Sequence, residues 1–273
     1  MQAAFGTRFP NQHGHPSRVA ATERALRVRP GLARAATEIA IIIAGVLAYF
    51  LVRGLMDGQE AAAVGNADAL IRFERAIGIF VEPQIQDWAL GMPALGTVAN
   101  WIYIWGHWPV IVATLVWLLV KHPREYALYR NALLISGGIG LIVFTLYPMA
   151  PPRFMPDWGF LDTVSMHSQS YRILQPPSMV NQYAAMPSLH CGWDLLMGIA
   201  IARHAAGRIR WVGRLLPVLM VAAVVLTANH YFMDAVVGDL LVVASLALAT
   251  ALQRGLPRPH LFSRRREQML QGA

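Results

Sequence analysis

Apolar runs long enough to enter a bilayer recur along this chain, each closed off by charges or prolines. They fall at 35–55, 99–120, 132–149, 186–202, 215–229 and 234–252. In hydrocarbon no water is present to satisfy backbone N–H and C=O groups, so runs of this kind are read as helices, whose hydrogen bonds close within the segment. Their lengths suit helices, and the shorter ones suit helices that begin or end inside protein. Composition agrees. Only 14% of the residues are charged and 56% are hydrophobic, with a mean hydropathy of +0.42, whereas a soluble domain carries about 25% charged residues. The expected fold is all-α: a polytopic membrane bundle of about six transmembrane helices with interfacial helices.

Charge sets the orientation. The net charge is +8 and the pI is near 10.2. In a soluble protein that would suggest nucleic-acid binding. Here the arginines flank apolar runs, so no nucleic-acid partner is expected. Basic residues cluster before the first run (Arg24, Arg27, Arg29, Arg34), after the second (Lys121, Arg124, Arg130), after the fourth (Arg203, Arg208, Arg210, Arg214) and after the sixth (Arg254, Arg258, Arg264, Arg265, Arg266). These are alternate ends of a six-span chain, hence one side, and the cytoplasmic one by the positive-inside rule. The expected organisation is a disordered basic cytoplasmic tail over 1–34, a membrane-embedded domain over 35–252 and a basic cytoplasmic tail over 253–273. The first span is expected to remain uncleaved, in a plasma (inner) membrane, with both termini inside.

Two long connections lie on the opposite side. The first, 57–98, is acidic (Asp57, Glu60, Asp68, Glu74, Glu82, Asp87) and has an amphipathic pattern around Ala69–Ile77, interrupted by Pro83 and Pro93. It reads as two helices lying on the membrane. The second, 150–185, is polar and rich in proline. Trp101, Tyr103, Trp105, Trp108 and other aromatics near the ends of runs read as an interfacial belt. The single cysteine, Cys191, rules out an internal disulfide and a Cys-based zinc cluster.

Three short pieces on that outward side carry polar side chains suited to chemistry: Tyr147-Pro148-Met149-Ala150-Pro151-Pro152-Arg153, Met186-Pro187-Ser188-Leu189-His190, and Asn229-His230-Tyr231-Phe232-Met233-Asp234. His230 and Asp234 are spaced i, i+4, so they share a face if the segment is helical. A carboxylate there fixes the imidazole tautomer, leaves the other nitrogen free as a nucleophile, and stabilises the charge that develops on the ring. Pro187-Ser188 reads as a helix start, where free N–H groups suit a phosphate. Ser188 adds a hydroxyl, and His190 in the same turn can protonate a leaving oxygen. Arg153, behind two prolines, offers a guanidinium that binds phosphate oxygens in pairs. Together these supply a nucleophile, its orienting group, a proton donor and an anion cradle. That set fits phosphoryl transfer through phosphohistidine, with no metal and no cofactor required. Two other readings stay open at this level: a carrier that binds a lipid phosphate or polyprenyl phosphate without reaction, and a zinc hydrolase using the two histidines and the aspartate.

At these residues the chain resembles the type 2 phosphatidic acid phosphatase superfamily. Within it, the chain is most similar to the branch of the aureobasidin-resistance type, the inositol phosphorylceramide synthases. Pro187-Ser188-Leu189-His190 matches the superfamily's Pro-Ser-x-His motif, and His230 to Asp234 matches its His-x-x-x-Asp motif. Ala150-Pro151-Pro152-Arg153 is similar to an element of the aureobasidin branch. The resemblance covers roughly 61–252. It implies a six-helix core, an extracytoplasmic site, a lipid phosphate or phospholipid substrate, His230 as nucleophile, Asp234 as its partner and His190 as general acid. Ser188 and Arg153, with Arg172 as a further cation, would hold the phosphate. The phosphatase branch also places an arginine shortly before the nucleophilic histidine. Here that stretch is Ala222-Ala223-Val224-Val225-Leu226, and the Lys-rich first phosphatase motif is not recognisable. Both departures favour the transferase-like branch. The expected activity is a metal-independent lipid phosphatase or phosphotransferase, including transfer of inositol phosphate to a lipid alcohol.

Overall fold

The computed structural model describes residues 36–38, 40–41, 43–45, 47–52, 58–162 and 181–255. The expected tail over 1–34, most of that over 253–273, and Arg172 lie outside the described residues. By its contacts the chain divides into two units, 1–48 and 49–273. In the first, the described residues are helical from Ala36 onward, the start of an apolar helix α1, Ala36–Val52.

The second unit is helical. In chain order it contains α2 (Glu60–Ala76), α3 (Glu82–Leu90), α4 (Pro93–Trp105), α5 (Trp108–Lys121), α6 (Pro123–Leu146), two 3₁₀ turns (Pro152–Phe154 and Pro156–Trp158), α7 (Leu189–His204), α8 (Ile209–Leu226) and α9 (Phe232–Gly255). Proline marks the starts. Pro83, Pro93, Pro109 and Pro123 all sit in first turns, where the missing N–H would be unpaired in any case. Pro83 and Pro93 therefore begin helices; they do not interrupt one.

By length and composition, α6, α8 and α9 can each cross a membrane, and α4 with α5 makes a fourth span if the bent pair is taken as one. The expected count of about six is not reached on that measure. Two of the expected runs fall short of that measure: the apolar helix α1 is shorter than the limit, and α7 is only 16 residues long and carries His190, Asp194 and Arg203. Its residues Cys191, Gly192, Asp194, Leu196, Met197, Gly198 and Ala200 are buried against other helices, so protein serves as its solvent. The run expected over 99–120 is also broken. α4 and α5 meet at a 42° bend, at Gly106 and His107. A Cβ on Gly106 would lie 2.4 Å from the Ile102 carbonyl oxygen, a separation closed to any other residue.

α7 stands at the centre, and small residues bring its neighbours close. A Cβ on Gly192 would lie 2.5 Å from the carbonyl oxygen of Gly238 on α9, and one on Gly198 would lie 2.5 Å from that of Gly213 on α8. Small-on-small contacts of this kind let helix backbones approach where lipid gives no hydrophobic drive for association. Around α7 a core of Ile111, Leu118, Tyr129, Leu196, Met197, Val242 and Leu246 joins α5, α6, α7 and α9. Outward faces carry exposed Val112, Val116, Leu134, Ile142, Val218, Leu240 and Val243, the pattern expected where lipid is the solvent.

α6 and α9 run antiparallel. The Gln253 side chain near the end of α9 reaches the carbonyl of Arg124 at the start of α6. The arginine-rich ends therefore lie at one end of the bundle and the three polar motifs at the other. α2 packs beneath those motifs through Ala63, Ala67, Leu70 and Ile71, against Met149, Ala150, Met155, Phe160, Ala185, Ala228 and Tyr231.

Candidate active site

Backbone hydrogen bonds assemble the three motif segments. Met149 and Ala184 form a parallel bridge, in which Met149 N–H donates to the Tyr183 carbonyl (2.8 Å) and Ala185 N–H to that of Met149 (3.2 Å). Ala150 N–H donates to the Ala63 carbonyl of α2 (3.1 Å), and Arg153 N–H to the Ala228 carbonyl (2.9 Å). Ser188 N–H donates to the Asp234 carbonyl (2.9 Å), which ties the start of α7 to the start of α9. A Cβ on Gly238 would lie 2.1 Å from the Ser188 carbonyl oxygen, so the two helix starts are in direct main-chain contact.

His190, His230 and Asp234 meet in this cluster. The rings of His190 and His230 have centroids 5.6 Å apart. The Nδ1–H of His230 donates to the Ala185 carbonyl at 2.8 Å, and the Asp234 carboxylate lies 3.4 Å from the same nitrogen. A carbonyl can only accept, so Nδ1 carries the proton and Nε2 keeps its lone pair. Nδ1 of His230 thus has two acceptors near it, the Ala185 main chain at the shorter distance and the Asp234 carboxyl at the longer. The second task of Asp234 is structural, as its Oδ2 accepts the Tyr231 N–H at 3.0 Å, a capping contact at the start of α9.

His190 is flanked on two sides. Tyr103 of α4 stacks on it with centroids 4.5 Å apart and an interplanar angle of 28°, and the ring of His107 lies 4.3 Å away. Ser188 caps α7 as expected of a helix start, its hydroxyl accepting from Cys191 N–H at 3.3 Å. The amides of Ser188 and Cys191 are therefore engaged within the protein, unlike the free amides expected there. Arg153 stacks over Phe154, 4.9 Å from the ring centroid, and donates to the side-chain oxygen of Asn229. Asn229 in turn donates to the Thr227 hydroxyl at 2.7 Å. The guanidinium is thereby fastened to the residue that directly precedes His230.

Two acidic residues have roles that their sequence context concealed. Glu74 and Glu82 belong to the connection that reads as polar and interfacial, yet both are fully buried. Glu82 accepts the N–H of Phe232 (3.1 Å) and Glu74 that of Met233 (3.0 Å). With Asp234 on Tyr231, three carboxylates take up the first amides of α9, which otherwise lack partners and carry the positive end of the helix dipole. Burial, with the neighbouring Glu82 carboxyl adding to it, pushes the Glu74 carboxyl up to about 8. That shift favours the protonated form of the Glu74 carboxyl near neutral pH. Among the described residues no three His, Cys, Asp or Glu side chains converge as a metal ion would need.

A family model described as the PAP2 superfamily matches residues 68–248, a stretch that contains every motif described above. No curated protein and no solved structure matches the chain.

Proposed function

The chain belongs to the PAP2 superfamily, and we propose that it is a membrane lipid-phosphate phosphotransferase or phosphatase that works through a phosphohistidine on His230. One observation carries this reading: two imidazoles 5.6 Å apart, one of which has its Nδ1 proton tied to a carbonyl and so offers a free Nε2. A phosphorus atom between the rings is within reach of a nucleophile on one side and a proton donor on the other.

The Nε2 lone pair of His230 attacks phosphorus, and the bond from phosphorus to the lipid or head-group oxygen breaks. That oxygen takes the proton of His190. The phosphorylated ring keeps its Nδ1 proton, held by the Ala185 carbonyl, while Asp234 offsets its positive charge. An acceptor hydroxyl, from water or an alcohol, then gives its proton to His190 and attacks phosphorus. The P–N bond breaks and both histidines return to their starting states. Arg153, set by Asn229 and Phe154, pairs with the phosphate oxygens as charge builds on them, and Ser188 adds its hydroxyl proton. Arg172 is proposed as a second cation in the same cradle.

The transferase branch, with inositol phosphate passed to a lipid alcohol, is favoured by where the positive charge originates. The stretch before His230 is apolar, and the cation comes from the Pro151-Pro152-Arg153 turn. In membrane terms the proposal has six crossings: α1, the bent α4–α5 pair, α6, α7, α8 and α9. The arginine-rich ends and both termini are cytoplasmic, and the site opens at the outer leaflet of a plasma (inner) membrane.

The test is to incubate purified protein in detergent with [³²P]phosphatidic acid and to quench in alkali, which preserves phosphohistidine. Wild-type protein is expected to carry label that His230→Ala lacks, and His190→Ala to label slowly. Release of [³²P]phosphate without added alcohol indicates a phosphatase; with [³²P]phosphatidylinositol, transfer of the label to an added lipid alcohol, with diacylglycerol as the leaving product, indicates a transferase. Full turnover by His230→Ala would overturn the mechanism.

A further inference from the structure

A second histidine–aspartate pair stands beside the first. His107, at the break between α4 and α5, is 3% exposed, and its Nδ1 lies 3.0 Å from Oδ1 of the fully buried Asp194. Asp194 is one turn beyond His190 on α7. Its contact is nonetheless with His107, whose ring lies 4.3 Å from that of His190. His190 is thus bracketed by Tyr103 at 4.5 Å and His107 at 4.3 Å, and faces His230 at 5.6 Å. Behind His107, the ring of Trp193 lies parallel to it, 4° off and 5.9 Å away. Trp193, His107, His190 and Tyr103 thus form a chain of neighbouring rings, with His190 between His107 and Tyr103.

Resting on the reading that His190 is the proton donor, we infer that His107 and Asp194 form a positioning pair for it: Asp194 fixes the His107 ring, and the His107 ring fixes the plane, and so the N–H direction, of His190. A buried polar pair whose only task was to join helices would not need to press on the general acid. The cost of burying Asp194 is partly offset by the charge-assisted hydrogen bond, and the bend at Gly106 brings His107 into place. No bond to His107 forms or breaks during turnover. The proton lost by His190 goes to the leaving oxygen and is regained from the acceptor, as above. Misplacing that proton by a fraction of an ångström impairs only the steps that need it.

This gives a readout that a purely structural role would not produce. An alkoxide leaving from a lipid phosphate needs a proton, whereas a nitrophenolate leaving from 4-nitrophenyl phosphate does not. The rate of ³²P labelling of the enzyme is measured with both substrates for wild type, His107→Asn, Asp194→Asn and, as the reference, His190→Ala. His107→Asn and Asp194→Asn are expected to slow labelling by phosphatidic acid about 10- to 100-fold and labelling by 4-nitrophenyl phosphate less than about 3-fold, the same pattern as His190→Ala. Equal slowing with both substrates makes the pair structural and overturns the inference. So does wild-type behaviour with both. If one variant does not fold, the other decides. If wild-type protein carries no label on histidine, the reading of the site fails and this inference fails with it.

Discussion

Gly238→Ala probes whether the contact between the starts of α7 and α9 sets the chemistry. The added Cβ would stand 2.1 Å from the carbonyl oxygen of Ser188, 2.9 Å from its carbonyl carbon and 3.1 Å from its nitrogen. A carbon and a carbonyl oxygen need a little over 3 Å, about 1 Å more than is present. All three obstructing atoms are backbone, so no side chain can turn aside. Relief requires the start of α7 to move away from α9 by about 1 Å. That motion stretches the 2.9 Å bond from Ser188 N–H to the Asp234 carbonyl beyond hydrogen-bonding range. It also carries His190 away from His230. Overpacking of this kind costs about 1–3 kcal/mol, and a 1 Å misplacement of catalytic groups costs about 100-fold in rate. The assay is turnover of phosphatidic acid in detergent micelles, with thermal unfolding of the same preparations. The expected result is a folded protein with a lower Tm and a kcat reduced about 100-fold. Gly138→Ala, where an added Cβ meets nothing within 4 Å, is the matched control and should keep its activity. Wild-type kcat in Gly238→Ala, or equal losses in both variants, would refute the argument.

Other outcomes follow from the same geometry. Burial raises the Glu74 carboxyl to about 8 in the folded protein, against 4.5 for an ordinary glutamate, so the native state binds the extra proton between those values. Stability is full below about 4.5 and declines as pH rises toward 8, by a few kcal/mol in all. Glu74→Gln should flatten the fall of Tm between pH 5 and 8, and an unchanged slope would show that Glu74 is not its source. Asn229→Ala releases the Arg153 guanidinium and should lower kcat/KM for phosphatidic acid about 10-fold; Arg153→Lys, which lacks the planar fork, should lower it at least as far, and a normal rate in both would remove Arg153 from the site. Turnover should be unchanged after treatment with EDTA, and its loss, restored by added zinc, would favour metal-based hydrolysis.

The helical class and the three motif segments were legible because they rest on local features: long apolar runs, a proline at a helix start, and an i, i+4 spacing. The convergence of His190, His230 and Asp234 needed one further premise, that the segments share a membrane face, which the alternating arginine clusters supplied. Other features depend on tertiary contacts that leave no periodic trace. Glu74 lies in an amphipathic pattern and reads as its polar face; nothing local says that α2 will turn that side under the start of α9. Asn229 was legible only as a neighbour of His230. His107 in an apolar run reads as a satisfied interhelical histidine, and Asp194 stands one turn from His190, but only the bend at Gly106 brings them together. By length and composition alone, fewer helices qualify as spans than the sequence suggests, for a related reason. A helix enclosed by others, as α7 is, can be short and polar while remaining inside the bundle.

The lashing of Arg153 to the Ala228 carbonyl, and of Met149 to Tyr183 and Ala185, is made by main-chain atoms. Backbone bonds are indifferent to which side chains the participating residues carry. The course of this segment is therefore held independently of the side chains at Met149 and Tyr183, whereas the aim of the Arg153 guanidinium is set by the side chains of Asn229 and Phe154. The anchoring of the turn and the aiming of its head group thus belong to different atoms, so that Asn229→Ala would free the guanidinium without unlacing the segment that carries it.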